Sequence, residues 1–182
     1  MTLPFFTIGH SNRSSADFID LLRESRIEVV ADVRTFRMSR HNPQFNEAAL
    51  AQSLAEAQIG YVPFPALGGR RGRDHSVPDD VNGLWENQSF HNYADYALSE
   101  DFRAGLAGLI ALGRERRTAI MCSEAVWWRC HRRLIADWLL ARGETVLNIM
   151  APGSVTEATL TPGAVVGPDR TVTYPTKSPT LF

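Results

Sequence analysis

The chain has 182 residues, enough for one domain that buries about 70% of the surface its unfolded form exposes, so folding requires neither disulfides nor a structural metal. Hydrophobic residues make up 44% and charged residues 21%, which excludes a disordered chain. A net charge of -1 excludes a nonspecific nucleic-acid coat protein, which would be strongly basic.

Strand and helix patterns alternate along the chain. Residues 4–8 read as a short buried strand, followed by the polar turn Gly9-His10-Ser11. Ser14 is placed to cap a helix reaching Arg26, with Phe18, Leu21 and Leu22 on one face. Residues 29–33 form a nearly all-apolar, β-branched run that suits a strand covered on both faces. A loop rich in Arg, Ser, Asn and Pro follows. Asn46 then starts a helix to Gln58, and residues 60–64 form a third strand. Residues 65–83 read as a long Gly- and Arg-containing loop, and loops that long in a compact domain are usually functional.

Helical pattern returns over 90–98 and, after the cap Ser99, continues to Leu112. Residues 118–121 read as a fourth strand. The spacing then predicts a helix over 126–142 ended by Gly143, with a fifth strand over 145–149. The fold class expected is α/β: a single domain with a mostly parallel five-stranded sheet and helices on both faces. Residues 1–150 form that domain. Residues 151–182, rich in Pro, Gly and Thr, form an extension packed on it or partly ordered.

Ligands in such folds bind at the carboxyl ends of strands. The strand ends here lead into His10-Ser11, Asp32-Val33-Arg34, Gly68-Gly69 and Cys122-Ser123-Glu124. If a helix follows Cys122 directly, its dipole and unpaired N–H groups favour thiolate, as a nucleophile requires. The bland alternative is a buried cysteine acting as a small hydrophobe. Glu124 offers a general acid or base, yet a carboxylate beside the thiol opposes thiolate. His131 borders the buried face of the helix, where a structural role competes with a catalytic one. Ser11, Asp32, Arg34, Arg37, Gly68, Gly69 and Arg132 are the candidate substrate-binding residues. Arg34, Arg37 and Ser11 would converge on an anion, with Arg70, Arg71 and Arg73 closing over it. Asp32 pairing with Arg34 or Arg132 is the structural alternative.

Cys122 and Cys130 on one helix would stand about 12 Å apart, beyond the roughly 7 Å a disulfide allows. Two unbridged cysteines point to a reducing cytoplasm. The start of the chain, MTLPFFTIGHS, has no charged leader before a long apolar core, and no run approaches the ~20 apolar residues of a membrane span, so neither export nor a membrane partner is expected. A metal on His10, Cys122 and Cys130 lacks the usual ligand spacing. Cys130 and His131 would also diverge by about 100° on a helix. No cofactor and no metal are expected. Nothing in the sequence speaks to oligomeric state.

The strings Thr7-Ile8-Gly9-His10-Ser11, Asp32-Val33-Arg34, Leu67-Gly68-Gly69 and Cys122-x-Glu124-x5-Cys130-His131-Arg132 resemble the signature of the domain of unknown function 488 family over residues 5–150. The resemblance implies the fold and the location of a site, not a reaction. Members often carry a histidine in the last strand, where this chain has Asn148. A looser likeness joins it to rhodanese-type domains, which also have Asp-Val-Arg after an early strand and a cysteine at a strand end. Here the first arginine after Cys122 is Arg129, and Glu124 sits within the loop.

Three functional readings follow. The first is a cysteine-dependent enzyme acting on a small anionic, phosphate-bearing or nucleotide-like ligand. The second is a nucleotide or nucleic-acid binding module without catalysis, built on the arginine loops. The third is a metal or redox protein using His10, Cys122 and Cys130.

Overall fold

The computed structural model describes residues 2–177. In chain order its main elements are β1 (Phe5–Gly9), α1 (Ser15–Glu24), β2 (Val29–Asp32), α2 (Glu47–Glu56), β3 (Gly60–Pro63), α3 (Gln88–Tyr96), α4 (Glu100–Glu115), β4 (Thr118–Cys122), α5 (Arg132–Leu140), β5 (Val146–Ala151), β6 (Ser154–Glu157), β7 (Val165–Val166) and β8 (Val172–Thr173). Helices begin where short polar side chains can accept from their free N–H groups. Ser14 accepts from the Asp17 N–H, Asn87 from those of Ser89 and Phe90, and Ser99 from that of Phe102.

One sheet runs β3-β2-β4-β1-β5-β6. Its first five strands are parallel, as helical crossovers require, and each is apolar on both faces or nearly so. The sixth strand, which the sequence reading did not separate from the tail, is antiparallel to β5 and turns back on it at Gly153 (φ 69°). Phe6, Ile8, Val30, Ala119 and Met121 point into the layer shared with α1 and α2. Phe5, Ala31, Ile120 and Val146 point into the opposite layer with α3, α4 and α5.

The extension after residue 150 supplies β6 and the small β7–β8 hairpin. It also buries Val172 and Tyr174 completely. Tyr174 Oη donates to Asp137 of α5 at 2.7 Å, and its main-chain N–H donates to Asn82 Oδ1 at 2.9 Å. Residues 178–182 of that expected extension lie outside the described residues. Among the described residues, no helix is long and apolar enough to cross a membrane.

One expected element is different. The helix expected over 126–142 does not start at Val126; α5 begins at Arg132. Residues 123–131 form a loop holding a single 3-10 turn at Trp127–Arg129. Val126 and both tryptophans are weak helix formers, and Cys130 is extended (φ -126°, ψ 150°), which breaks helical continuity ahead of His131.

Candidate functional site

The ladder between β1 and β4 continues past the strand ends. The His10 N–H donates to Cys122 O (2.9 Å) and the Ser11 N–H to Ser123 O (3.0 Å). Ser11 takes φ 50°, a left-handed conformation that turns the chain away from the sheet. Gly9 has no alternative: a Cβ there would collide with the main-chain carbonyl of Glu124. The 123–131 loop therefore lies directly on the end of β1. At these carboxyl ends opens a cleft of about 890 Å³.

Of the residues expected from sequence, His10, Ser11, Arg34, Gly69, Cys122, Glu124 and His131 line this cleft. Asp32, Arg37, Gly68 and Arg132 do not. Asp32 and Arg34 are both buried and form a bidentate pair, with Arg34 Nε 3.0 Å from Oδ1 and Nη2 2.8 Å from Oδ2. Tyr61 Oη also donates to Asp32 (2.6 Å). Arg34 Nη1 donates to Phe45 O (2.8 Å) and to His10 Nε2 (3.3 Å). Its guanidinium is thus committed to the scaffold.

His10 stacks on Phe45 with ring centroids 4.3 Å apart. Its Nδ1 lies 2.8 Å from Ser11 O, an acceptor only, so Nδ1 carries the proton and Nε2 accepts from Arg34. Burial, helped by the Arg34 charge, pushes the imidazole down to about 4, so it is neutral near pH 7.

Arg37 pairs with Glu47 (3.0 Å) outside the cleft. Gly68 packs against Thr35, whereas Gly69 faces His131 so closely that a Cβ would overlap its ring. Arg71 donates to Gly68 O and Pro65 O and lies 3.8 Å over the Tyr96 ring, and Arg73 pairs with Asp79. Of these three loop arginines only Arg70 lines the cleft, which exposed Arg129 also lines.

The thiol chemistry is redistributed relative to expectation. Cys122 ends β4 but does not begin a helix, and it is 3% exposed. Burial, helped by the nearby Cys130, pushes its thiol well above the usual value. Cys130, just ahead of α5, is 6% exposed. Burial would raise its thiol, but neighbouring Cys122, His131 and Arg132 outweigh it and hold Cys130 well below the usual value. The His131 Nδ1 is 3.4 Å from Cys130 Sγ, while Nε2 donates to Val33 O at 2.7 Å. That second bond fixes Nε2 as protonated, so in the neutral ring Nδ1 is the acceptor that faces the Cys130 sulfur. The helix start expected to follow Cys122 directly lies instead just after Cys130. The two cysteines do not share one helix: Cys122 ends β4 and Cys130 stands in the loop ahead of α5, and both sulfurs accept from Arg132.

Arg132 is 1% exposed and touches both sulfurs. Its Nε is 3.0 Å from Cys122 Sγ and its main-chain N–H 3.5 Å from Cys130 Sγ. Nη1 donates to Thr7 Oγ1 (3.1 Å) and Nη2 to the Glu124 carbonyl (2.8 Å). Glu124 therefore supports the site through its main chain; its own side chain is exposed at the cleft edge. Thr7 passes its hydroxyl proton to Asn148 Oδ1 (2.6 Å), leaving Asn148 Nδ2 buried without a partner. Sequence reasoning missed the structural roles of Thr7, Phe45, Tyr61 and Asn148. Thr7 and Asn148 carried a usable signal: polar side chains at inward positions of otherwise apolar strands.

Among the described residues, no three His, Cys, Asp or Glu side chains are grouped so as to hold a metal ion. No curated protein matches this chain, and no solved structure matches it. The family model for the domain of unknown function DUF488 matches residues 14–139, more than half of the chain and most of the residues that build the cleft, and the protein belongs to that family.

Proposed function

We propose that this protein is a cysteine-dependent enzyme acting on a small anionic substrate, phosphate-bearing or nucleotide-like, with Cys130 as its nucleophile. The observation that carries the reading is the Cys130–His131 contact of 3.4 Å at the wall of the cleft. The sulfur attacks as thiolate, and His131 Nδ1 holds and returns the proton. Cys122 and Arg132 shape the charge beneath it. Arg129 and Arg70, which both line the cleft, supply positive charge for an anion. Phe36, 63% exposed at the rim with Arg70 stacked 4.9 Å above its ring, offers a flat apolar surface to a planar group.

Alkylation kinetics with two reagents test this. A free thiol reacts faster with neutral iodoacetamide than with anionic iodoacetate. In this cleft the order should reverse, reactivity should persist below the free-thiol titration near pH 8.5, and inorganic phosphate should protect. Cys130→Ser should abolish the reaction, and Arg129→Ala should remove the preference for iodoacetate. Alkylation that rises only with the free-thiol titration, without reagent preference, would overturn the reading. Protection by phosphate without an activated thiol would instead favour the binding module.

A further inference from the structure

We propose that the groove between α4 and the β7–β8 turn docks an acidic amphipathic helix of a partner protein. This goes beyond the enzymatic reading, because the groove shares no lining residue with the cleft at the carboxyl ends of the strands. The groove has a volume of about 400 Å³. Its Arg114 and Arg142 stand where α4 leads into β4 and α5 into β5, at the amino edge of the parallel sheet. Two observations carry the proposal: the make-up of the outer face of α4 and the charge around it.

The inner face of α4 sends Phe102, Leu106 and Leu109 into the core. Outside it, Arg103, Ala107, Ile110, Ala111 and Arg114 follow one another at i, i+4, i+7, i+8 and i+11, so they share one stripe. Arginine stands at each end of the stripe and apolar residues fill its middle. Ala107 and Ala111 are exposed, and Ile110 is half-buried. Methyl side chains at a contact let a second helix axis come close.

The charge says what covers this stripe. Arg103, Arg114, Arg142 and Arg170 line the groove, with Asp169 as the one lining carboxylate among the described residues. Asp169 is taken by Thr171, accepting from its N–H (3.1 Å) and its hydroxyl (2.7 Å). Glu144 pairs with Arg114 at 3.2 Å. The other donors meet neutral oxygens: Arg103 Nη2 donates to Thr171 Oγ1 (3.2 Å), and Arg142 Nη1 to Trp138 O (3.3 Å) and Arg170 O (3.1 Å). Four cations against two carboxylates leave the groove positive in a chain of net charge -1. Arg142 is held in place 5.1 Å over the Trp138 ring. Arg103 and Arg114 lie about 16 Å apart along the helix axis, too far for one phosphate to bridge. No aromatic ring lines the groove, so the bases of a single strand find no stacking platform. A helix with apolar residues at i, i+3, i+4 and i+7 and Asp or Glu on its flanks matches both the stripe and the arginines around it.

The test uses the full chain and a fluorescein-labelled synthetic helix with leucine at i, i+3, i+4 and i+7 and glutamate elsewhere, followed by fluorescence anisotropy. This peptide should bind, more weakly as salt rises, and the same peptide with lysine for glutamate should not. Arg103→Glu combined with Arg142→Glu should weaken binding by at least about tenfold, and Ala107→Asp should weaken it in the same direction. Arg23→Glu, exposed on α1, should leave it unchanged. Cys130 alkylation by iodoacetamide should be the same in all these variants. In isotope-labelled wild-type protein, the peptide should move the amide signals of Ala107, Ile110, Ala111 and Arg142 and not those of Ser11, Arg70 and Arg129. Equal binding of the two peptides, unchanged affinity in the double arginine variant, shifts centred on the cleft, or tighter binding of labelled oligothymidylate would overturn the proposal. The wild-type signals decide the matter even where a variant fails to fold.

Discussion

Two buried arginines stand behind the cleft, and their different partners set its electrostatics. Arg34 is neutralised by Asp32 and serves to hold Phe45 O and His10 in place. Arg132 has sulfur, hydroxyl and carbonyl partners instead. The first arrangement is a closed structural pair; the second is a buried cation with no carboxylate partner among the described residues. His10 sits on the first network and gives it a pH signature. Its unfolded imidazole titrates near 6.5 and its folded one near 4, so in that interval the unfolded chain binds more protons. Stability is full above 6.5 and falls as pH drops through the window, by on the order of 3 kcal/mol in total. Urea unfolding from pH 7.5 to 4 should show this slope, and His10→Asn should flatten it. Equal slopes in the two proteins would disprove the assignment.

The decisive element is the 123–131 connection between β4 and α5. It seats Cys130 against the Arg132 main-chain N–H, sets the Glu124 carbonyl on Arg132, and starts α5 with His131 against Val33. Its path depends on the missing side chain at Gly9. Gly9→Ala should force the loop off β1 and cost about 1–3 kcal/mol by overpacking, read as a lower urea midpoint, with slower Cys130 alkylation. A variant of unchanged stability and thiol reactivity would mean the loop is not anchored there. Local sequence made this segment hard to read. Val126, Trp127 and Leu134 can be placed on a helical face, and a helix through the whole segment satisfies that pattern. What interrupts it is tertiary: the extension of the β1–β4 ladder through Ser11 and the close seat on Gly9.

At the scale of the molecule, the C-terminal extension is part of the scaffold behind the site. Tyr174 reaches the α5 carboxylate Asp137, and the Thr161 N–H donates to the same group at 2.9 Å. Burial raises Asp137 above the usual carboxylate value although these donors oppose it. Its contribution to stability is therefore greatest at low pH and declines as pH rises through the folded value. Tyr174→Phe removes one donor to the ionised form. It should destabilise the protein by about 1–3 kcal/mol near neutral pH, with the loss shrinking in acid as Asp137 protonates. Thermal melts at two pH values measure this; a loss independent of pH would point to packing alone.

The parallel α/β architecture was legible in the sequence because buried strands, amphipathic helices and caps are local patterns: Val29–Asp32, the Ser14 cap and the Phe102–Leu106–Leu109 stripe each depend on residues near one another. The location of the cleft was legible for a related reason, since polar strings at strand ends mark the carboxyl edge of a parallel sheet. The allocation of charge was not. Whether Asp32 would pair with Arg34 or Arg132, and which of Cys122 and Cys130 would hold the thiolate, depends on contacts across 98 or more residues, such as His131 to Val33 and Arg132 to Thr7. A thiol's titration reflects its whole surroundings, and only the folded chain assembles them. Sequence by itself determined the sheet, its covering helices and the edge at which reactive residues gather. The tertiary structure alone decided that Cys130, not Cys122, stands at the head of α5 beside His131, because the loop over Gly9 breaks the helix ahead of it.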